Sequence, residues 1–545
     1  MVRFVRLVLL LVLPVLAFFA APGGAEELPA LGYRTSSEVS ARLRRLVARY
    51  EVAGIPARIQ PYGESAGGRP LEAIRIGEAR PVVFVHGGLG TRDAAGVVAA
   101  LQLAETLGDE AHAALREVTW LIAPAPNPDA LDRFLEGAWP HGGGWLDRDK
   151  DGRRAEDGPE DVDADGHILR MRRRSPRGTW KAREKAPGWE GASRGMDEAG
   201  EDLRRGASYE LFDEGLDRDG DGRVNEDPPG IRLDRDFAGW WDDKAPWRGD
   251  GLFPGSAPET RAMMELTFAE TGLVAWLGFT SAGPTVLRAN EQGKTWELDR
   301  GLYDKIAARI EKASAHRVRS AHDALGKEQN PGSDLDWAAV HLGVPAFRAP
   351  LWWVPKQDGY DQKREHADET DWLLWNDREL EGAGFVPWRA FEHPALGRVE
   401  IGGWTRFTRY EPPPDRLASL TDEALKVAFE LAGVRPVLGA EVEILARGEG
   451  LYEISLRAQN SGGGPTNTVA AERQRRAVGV RARFEASSVA EVLAGPRVAD
   501  LGRVEGGKTS RAARWLVRRE GAGRLGTLRV THPKADDHVE EVTTP

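Results

Sequence analysis

The hydrophobic and polar positions change rhythm several times along the chain. Ser36 to Tyr50 carries apolar residues at helical spacing, and Leu71 to Ile76 and Val82 to Val85 then read as strands. A helix from about Ala94 to Leu107 and a strand over Val118 to Ile122 follow, so strand, helix and strand alternate as they do in an α/β sheet. From Asp147 to Asp227 the pattern lapses. Asp, Gly, Arg and Glu dominate there, which reads as a long insertion of ligand-bearing loops. Order resumes with a helix over Ala257 to Ala269, a strand over Leu273 to Phe279 and a helix over Leu302 to Ala315. Trp, Gly and Pro fill Trp352 to Pro413, after which Leu417 to Leu431 has helical spacing. Beyond Glu441, short alternating segments such as Tyr452 to Leu456, Ala477 to Phe484 and Gly526 to Val530 are separated by Gly and Asn turns, the pattern of a β-sandwich.

These rhythms predict an α/β domain over 26–432, with an acidic insertion at about 140–230, and a β-sandwich over 433–545. Residues 1–25 read differently. Arg3 and Arg6 precede an apolar run from Leu7 to Ala21, and small residues lead to Ala25. That is the layout of a secretory signal peptide, and the run is shorter than the roughly 20 residues of a membrane-spanning helix. Export, to the periplasm or outside the cell, is the expectation, with no stable membrane insertion once the leader is removed. An uncleaved anchor is the alternative. With 545 residues, 41% hydrophobic content and 18 Trp the chain can bury large cores, and with no Cys it does so without disulfides. A formal charge of -11 gives no attraction to nucleic acid, and the run Arg170 to Arg174 reads as solvated or paired with neighbouring acids.

Five separated stretches then fall in one order. Gly63-Glu64-Ser65-Ala66-Gly67-Gly68-Arg69-Pro70-Leu71 is followed by Asn127-Pro128-Asp129, Leu233-Asp234-Arg235-Asp236-Phe237, Pro258-Glu259-Thr260-Arg261-Ala262 and Asp336-Trp337. Together they resemble the secreted zinc carboxypeptidases, including larger bacterial forms with a C-terminal β domain. The resemblance spans about Leu28 to Pro413 and implies an α/β/α sandwich on a mixed sheet.

It also implies a site that this sequence has lost. Gly90 stands where the family has its first zinc-binding His, Asp93 replaces the zinc-binding Glu, and Thr280 occupies the place of the second His. Pro350 takes the position of the general-base Glu, and no Tyr between Tyr303 and Asp336 can serve as the family's mobile tyrosine. Catalytic zinc needs about three protein ligands and an open position. Without it the attacking water keeps a pKa near 15.7 instead of about 7. No catalytic residue is therefore expected, and zinc is not expected as a cofactor. His86, before a Gly-Gly turn, and the His366-Ala367-Asp368-Glu369 spacing are the alternatives that could rescue a metal; His86 reads as a hydrogen-bonded core histidine. Arg235, Arg92 and Asp234 match substrate-binding positions, and either retain a carboxylate pocket or form structural ion pairs.

The insertion contains its own repeat. Asp147, Asp149 and Asp151, with Glu156 and Asp157, recur as Asp217, Asp219 and Asp221, with Glu226 and Asp227; Asp161, Asp163 and Asp165 form a third copy. Alternate aspartates before a Gly can aim oxygens at one centre, the signature of calcium, although none of the three has the Glu at position twelve that completes an EF-hand. Acidic surface turns are the alternative. The sequence thus reads as an exported, calcium-binding, carboxypeptidase-like protein without catalysis that binds a peptide or cell-envelope ligand. Its rival is a working zinc carboxypeptidase with relocated ligands.

Overall fold

Val82-Val83-Phe84-Val85-His86 is apolar until its last residue, and all five side chains are buried, as befits a parallel strand covered on both faces. The computed structural model describes residues 32–137, 158–183, 190–198, 208–218, 224, 231–241, 251–289, 293–325, 331–355 and 368–545. The leader expected over 1–25 lies outside them. So do Asp147, Asp149, Asp151, Glu156, Asp157, Asp219, Asp221, Glu226, Asp227 and His366.

The main sheet has eight strands: β1 (Ala57–Glu64), β2 (Pro70–Ile76), β3 (Val82–His86), β4 (Thr119–Ala123), β5 (Leu273–Ala282), β6 (Val286–Arg288), β7 (Val318–Ser320) and β8 (Ala346–Trp352). Their spatial order is β1-β2-β4-β3-β5-β8-β6-β7. The four in the middle, β4, β3, β5 and β8, run parallel, while β1, β2 and β6 add antiparallel pairs, so the sheet is mixed as expected. Helix α1 (Ser36–Val52) starts at a Thr35–Glu38 capping box and buries Val39, Leu43, Leu46 and Tyr50 at helical spacing. Helix α2 (Ala94–Thr106) is buried along most of its length and packs on β5. The chain continues through α3 (Pro128–Glu136), α4 (Pro258–Ala269), α5 (Gly293–Ala313) and α6 (Leu417–Ala432). α6 covers α2 and β8, and α4 lies against β1. α5 begins earlier than its sequence spacing indicated.

The insertion is more than loops, which corrects the sequence reading. It contributes strands Arg170–Arg174, Trp180–Ala182, Met196–Glu198 and Tyr209–Asp213 to a six-stranded antiparallel sheet completed by the hairpin Phe385–His393 and Gly397–Trp404. Apolar alternation failed as a signal because Arg170–Arg174 carries four arginines and the other insertion strands are only three to five residues long. Arg172 lies over the rings of Tyr209 at 4.9 Å and Trp388 at 4.4 Å and bonds Glu400 at 2.7 Å. Arg170 pairs with Asp213 at 3.0 Å and Arg173 with Glu210 at 2.7 Å. Cross-strand charge and cation–π contacts add to an apolar core of Leu169, Met171, Val224, Val399 and Ile401 in holding this sheet.

The C-terminal region is all antiparallel. One sheet runs Leu438–Gly448, Leu451–Asn460, Ala513–Arg519 and Ala490–Ala494, with Lys508–Thr509 added; the other runs Ala499–Gly502, Val480–Ala486, Arg524–His532 and Ala535–Thr543. Ile454, Leu456, Trp515 and Val517 from the first meet Val480, Phe484, Leu528 and Val530 from the second in one core. Its opening hairpin turns on Glu449 and Gly450, both left-handed at φ 50° and 71°.

Two glycines separate packing from helix propensity. At Gly96 in α2 an added Cβ would sit 2.6 Å from the Phe279 carbonyl oxygen, whereas at Gly301 in α5 it would meet nothing within 4 Å. We expect Gly96→Ala to lose about 1–3 kcal/mol through overpacking, despite alanine's better propensity, and Gly301→Ala to gain about 0.5–1 kcal/mol. Urea melts of both variants check this; equal effects would contradict it.

Candidate functional site

Because β3, β5 and β8 run parallel, their carboxyl ends open on one edge of the sheet, where α/β proteins form their crevices. β3 leads through Gly87–Asp93 into α2, β5 reaches Thr280, and Pro350 of β8 is Thr280's cross-strand partner. The fold therefore gathers Gly90, Asp93, Thr280 and Pro350. Asp93 is turned towards the scaffold. One carboxylate oxygen accepts from the Gly90 amide at 2.6 Å, and the other from the Thr280 hydroxyl at 2.7 Å and the Ser281 amide at 2.9 Å. Burial raises its pKa against the pull of these donors and of Arg348. A Cβ at Gly90 would run into the Asp93 carboxylate, so the loop has closed over that position. Gly90 offers no donor, the Thr280 hydroxyl is committed, and Asp93 is engaged by three donors. These residues do not fit a catalytic zinc.

The start of α2 is held from far along the chain. Asp93 does not cap the helix with its own side chain. Instead Glu411, fully buried, accepts from the amides of Ala94 at 2.8 Å and Ala95 at 3.0 Å and from the Ser281 hydroxyl at 2.7 Å. Orphan amides at a helix start need such acceptors, and the positive end of the helix favours a carboxylate. Burial nevertheless dominates, and with the nearby Asp93 charge it pushes the Glu411 pKa up to about 8. Around Glu411 the chain is strapped to the domain: Arg406 donates to the Phe134 and Leu135 carbonyls at 2.6 and 2.9 Å, the Trp352 indole to Thr408 O at 2.7 Å, and the Tyr33 hydroxyl to Pro412 O at 2.7 Å. The strap brings the Tyr410 ring to 4.5 Å from the Arg92 guanidinium.

Along these strands lies a buried charge network. Asp334 accepts from the Trp276 indole of β5 at 3.1 Å, pairs with Arg348 of β8, and meets His86 Nε2 of β3 at 3.1 Å. Arg348 and His86 hold its carboxyl well below the usual range despite burial. His86 is thus a hydrogen-bonded core residue, with its Nδ1 3.1 Å from Gly87 O. Arg348 also stands 3.9 Å from Asp234, as do Arg232 and Arg235. Arg235 is buried in the short turn Leu233–Arg235, with its Nε 3.9 Å from Asp234. At the other proposed rescue point, Glu369 accepts from the Trp404 indole at 2.7 Å and pairs with Arg409, while Asp368 caps the helix Glu369–Glu379.

A second cluster forms in the acidic insertion. Oxygens of Asp161, Asp163 and Glu214 lie within 4.8 Å of one another. Glu214 is fully buried and accepts from the Val162 and Leu169 amides, each at 2.7 Å; burial and the Asp163 charge push its pKa up to about 7. Asp165 sits in the same loop, its carboxylate accepting from the His167 amide at 2.9 Å. Asp217 lies on the chain just beyond Glu214. Sequence reasoning chose Asp161, Asp163 and Asp165 but missed Glu214, which stands outside the aspartate repeat. It likewise missed Asp334, two residues before the Asp336-Trp337 pair, and Glu411.

A family model described as zinc carboxypeptidase matches residues 51–167, and another, a domain of unknown function (DUF8731), matches residues 437–543. No curated protein matches. Among solved structures, carboxypeptidase A from Helicoverpa armigera is similar at 15% identity and TM-score 0.42, covering 76% of each chain. Bovine thrombin-activatable fibrinolysis inhibitor, in complex with tick carboxypeptidase inhibitor, is similar at 13% identity and TM-score 0.40, covering 73% of this chain and 96% of that one. A metallo-carboxypeptidase from Burkholderia cenocepacia is similar at 12% identity and TM-score 0.33, covering 71% and 68%.

Glu411 generates a pH dependence. Its folded pKa is raised from 4.5 to about 8, so its contribution to stability is fully present below pH 4.5 and is lost as pH rises through 8. The loss reaches about 1.4 kcal/mol per pH unit for a single group. Glu411→Gln should flatten the fall between pH 6 and 8; an unchanged slope by thermal melting would show that Glu411 is ionised throughout.

Proposed function

We propose that this chain, with its zinc-carboxypeptidase segment at 51–167, is an exported, non-catalytic relative of those enzymes whose crevice binds a peptide or cell-envelope ligand and whose acidic insertion binds calcium. The observation that carries the reading is Asp93, at a ligand position yet committed to Gly90, Thr280 and Ser281. With Pro350 beside Thr280, no side chain at the family's general-base position can accept a proton from water. The rival reading requires three metal donors elsewhere. Among the described residues one such group occurs, Asp161, Asp163 and Glu214, and its all-oxygen donor set favours a hard cation such as calcium over zinc. Asp165 and Asp217 lie close along the chain to Asp163 and Glu214 but are not members of that group. Arg235, with Arg92 and Asp234, is the candidate for holding a ligand's carboxylate, since a guanidinium matches it through two parallel hydrogen bonds.

Purified protein should hold no zinc in the crevice and should bind a peptide with a free C-terminus about tenfold more tightly than its amide, without cutting it. Arg235→Ala should erase that difference. Stoichiometric zinc with chelator-sensitive cleavage would sink the non-catalytic reading, and equal affinities for acid and amide would remove the carboxylate pocket.

Calcium should raise the melting temperature, by the equivalent of about 2.7 kcal/mol at a hundredfold excess over Kd. Asp161→Ala combined with Asp163→Ala should abolish the rise. Identical melting in calcium and in chelator would leave the cluster as an acidic turn.

A further inference from the structure

We infer that the C-terminal β module acts as a clamp on the floor of the crevice, holding residues 333–343 in place. The connection between strands Leu451–Asn460 and Val480–Ala486 leaves the sandwich and carries a short helix, α7 (Val469–Arg473), onto the α/β domain. There it is fixed on two sides. Asp299 of α5, almost fully buried, accepts from the Val469 and Ala470 amides at 2.8 and 2.9 Å. On the other side the Thr468 hydroxyl donates to Gly343 O at 2.7 Å. Gly343 is left-handed at φ 64°, and a Cβ there would lie 2.5 Å from that of Ala471, so only glycine allows the approach. Arg476 completes the contact. It donates to His341 O at 3.0 Å and to Phe268 O at 3.2 Å, with its guanidinium 3.8 Å from the Phe268 ring centre.

What these groups grip is an irregular element. Trp337–Leu342 forms a π-helical turn, a conformation seldom stable by itself, and the carbonyls of His341 and Gly343 at its end have the module's Arg476 and Thr468 as donors. The front of the same segment is Asp334, the carboxylate that joins His86, Trp276 and Arg348 under the crevice. His341 extends the path sideways, stacking on Trp337 at 4.9 Å and meeting Ala238 O at 3.2 Å, next to the segment that carries Asp234 and Arg235. Gly332 ties that segment again, through Phe237 N at 2.8 Å and Gly239 O at 2.7 Å. A module that hung from a linker to bind ligands on its own would need none of these contacts. Arg476, Thr468 and Asp299 are therefore positioning residues for the crevice.

Hydrogen–deuterium exchange on the full-length chain tests this, independently of any ligand. In Arg476→Ala and Asp299→Ala, peptides covering 333–343 and 231–241 should exchange at least tenfold faster than in the parent. Peptides from β3 and from strands Val480–Ala486 and Arg524–His532 should keep their protection. Faster exchange everywhere would mean general destabilisation, and unchanged exchange at 333–343 would mean that the floor stands without the module; either result overturns the clamp. Should Asp299→Ala fail to fold, Thr468→Val removes one donor at nearly constant shape and is read in the same way.

Discussion

A carboxylate placed in the dry centre of a parallel sheet has to be neutralised where it stands, and this constraint organises the α/β domain. Asp334 is fully buried, and its partners come from three adjacent strands: His86 at the end of β3, Trp276 in β5 and Arg348 in β8. Removing one partner of such a group typically costs about 3–5 kcal/mol, because the remaining charge cannot be rehydrated. The network therefore fixes how the three strands end. Since Arg348 also faces Asp234, it fixes the neighbouring arginine turn as well.

The crevice above obeys the same requirement with different groups. Asp93 and Glu411 lie on either side of Ser281, one taking its amide and the other its hydroxyl. Donors that could meet a metal-bound water or a substrate are spent on closing the loop and starting α2. The hydrogen bonds of Asp93 thus close the loop around Gly90. A side chain introduced by Gly90→His would collide with the Asp93 carboxylate, which the hydrogen bonding of the scaffold holds in place.

Charge joins an apolar cluster of Leu169, Met171 and Val224 in holding the insertion together. Its strands join the 385–404 hairpin through arginines that lie over aromatic rings and pair with acids across the sheet. At its acidic end three carboxylates converge, and backbone amides together with the charge of Arg389 acting on Asp163 offset their repulsion. The C-terminal module differs in kind: an apolar sandwich core, with polar contacts to the α/β domain made by the connection that leaves it and by Asp536 and Asp537, which meet Arg80.

Some of this was legible in the sequence. Periodicities of 2 and 3.6 are local, so the apolar run of β3, the alternating strands of the C-terminal region and the helices α2, α4 and α6 could be read directly. Residue type also bore on chemistry without any fold: glycine and proline side chains cannot ligate metal or accept a proton, so the expectation at Gly90 and Pro350 rested on residue type and on where the resemblance placed them. The six-stranded sheet was not legible, because one of its strands carries arginine at four of five positions and two others are only three residues long. Nor were the pairings. Glu411 reaches α2 across 317 residues, Asp334 reaches His86 across 248, and Glu214 closes on Val162 across 52. No spacing rule encodes such partners; folding chose them because a buried carboxylate must find donors, and only the tertiary structure brings those donors within reach.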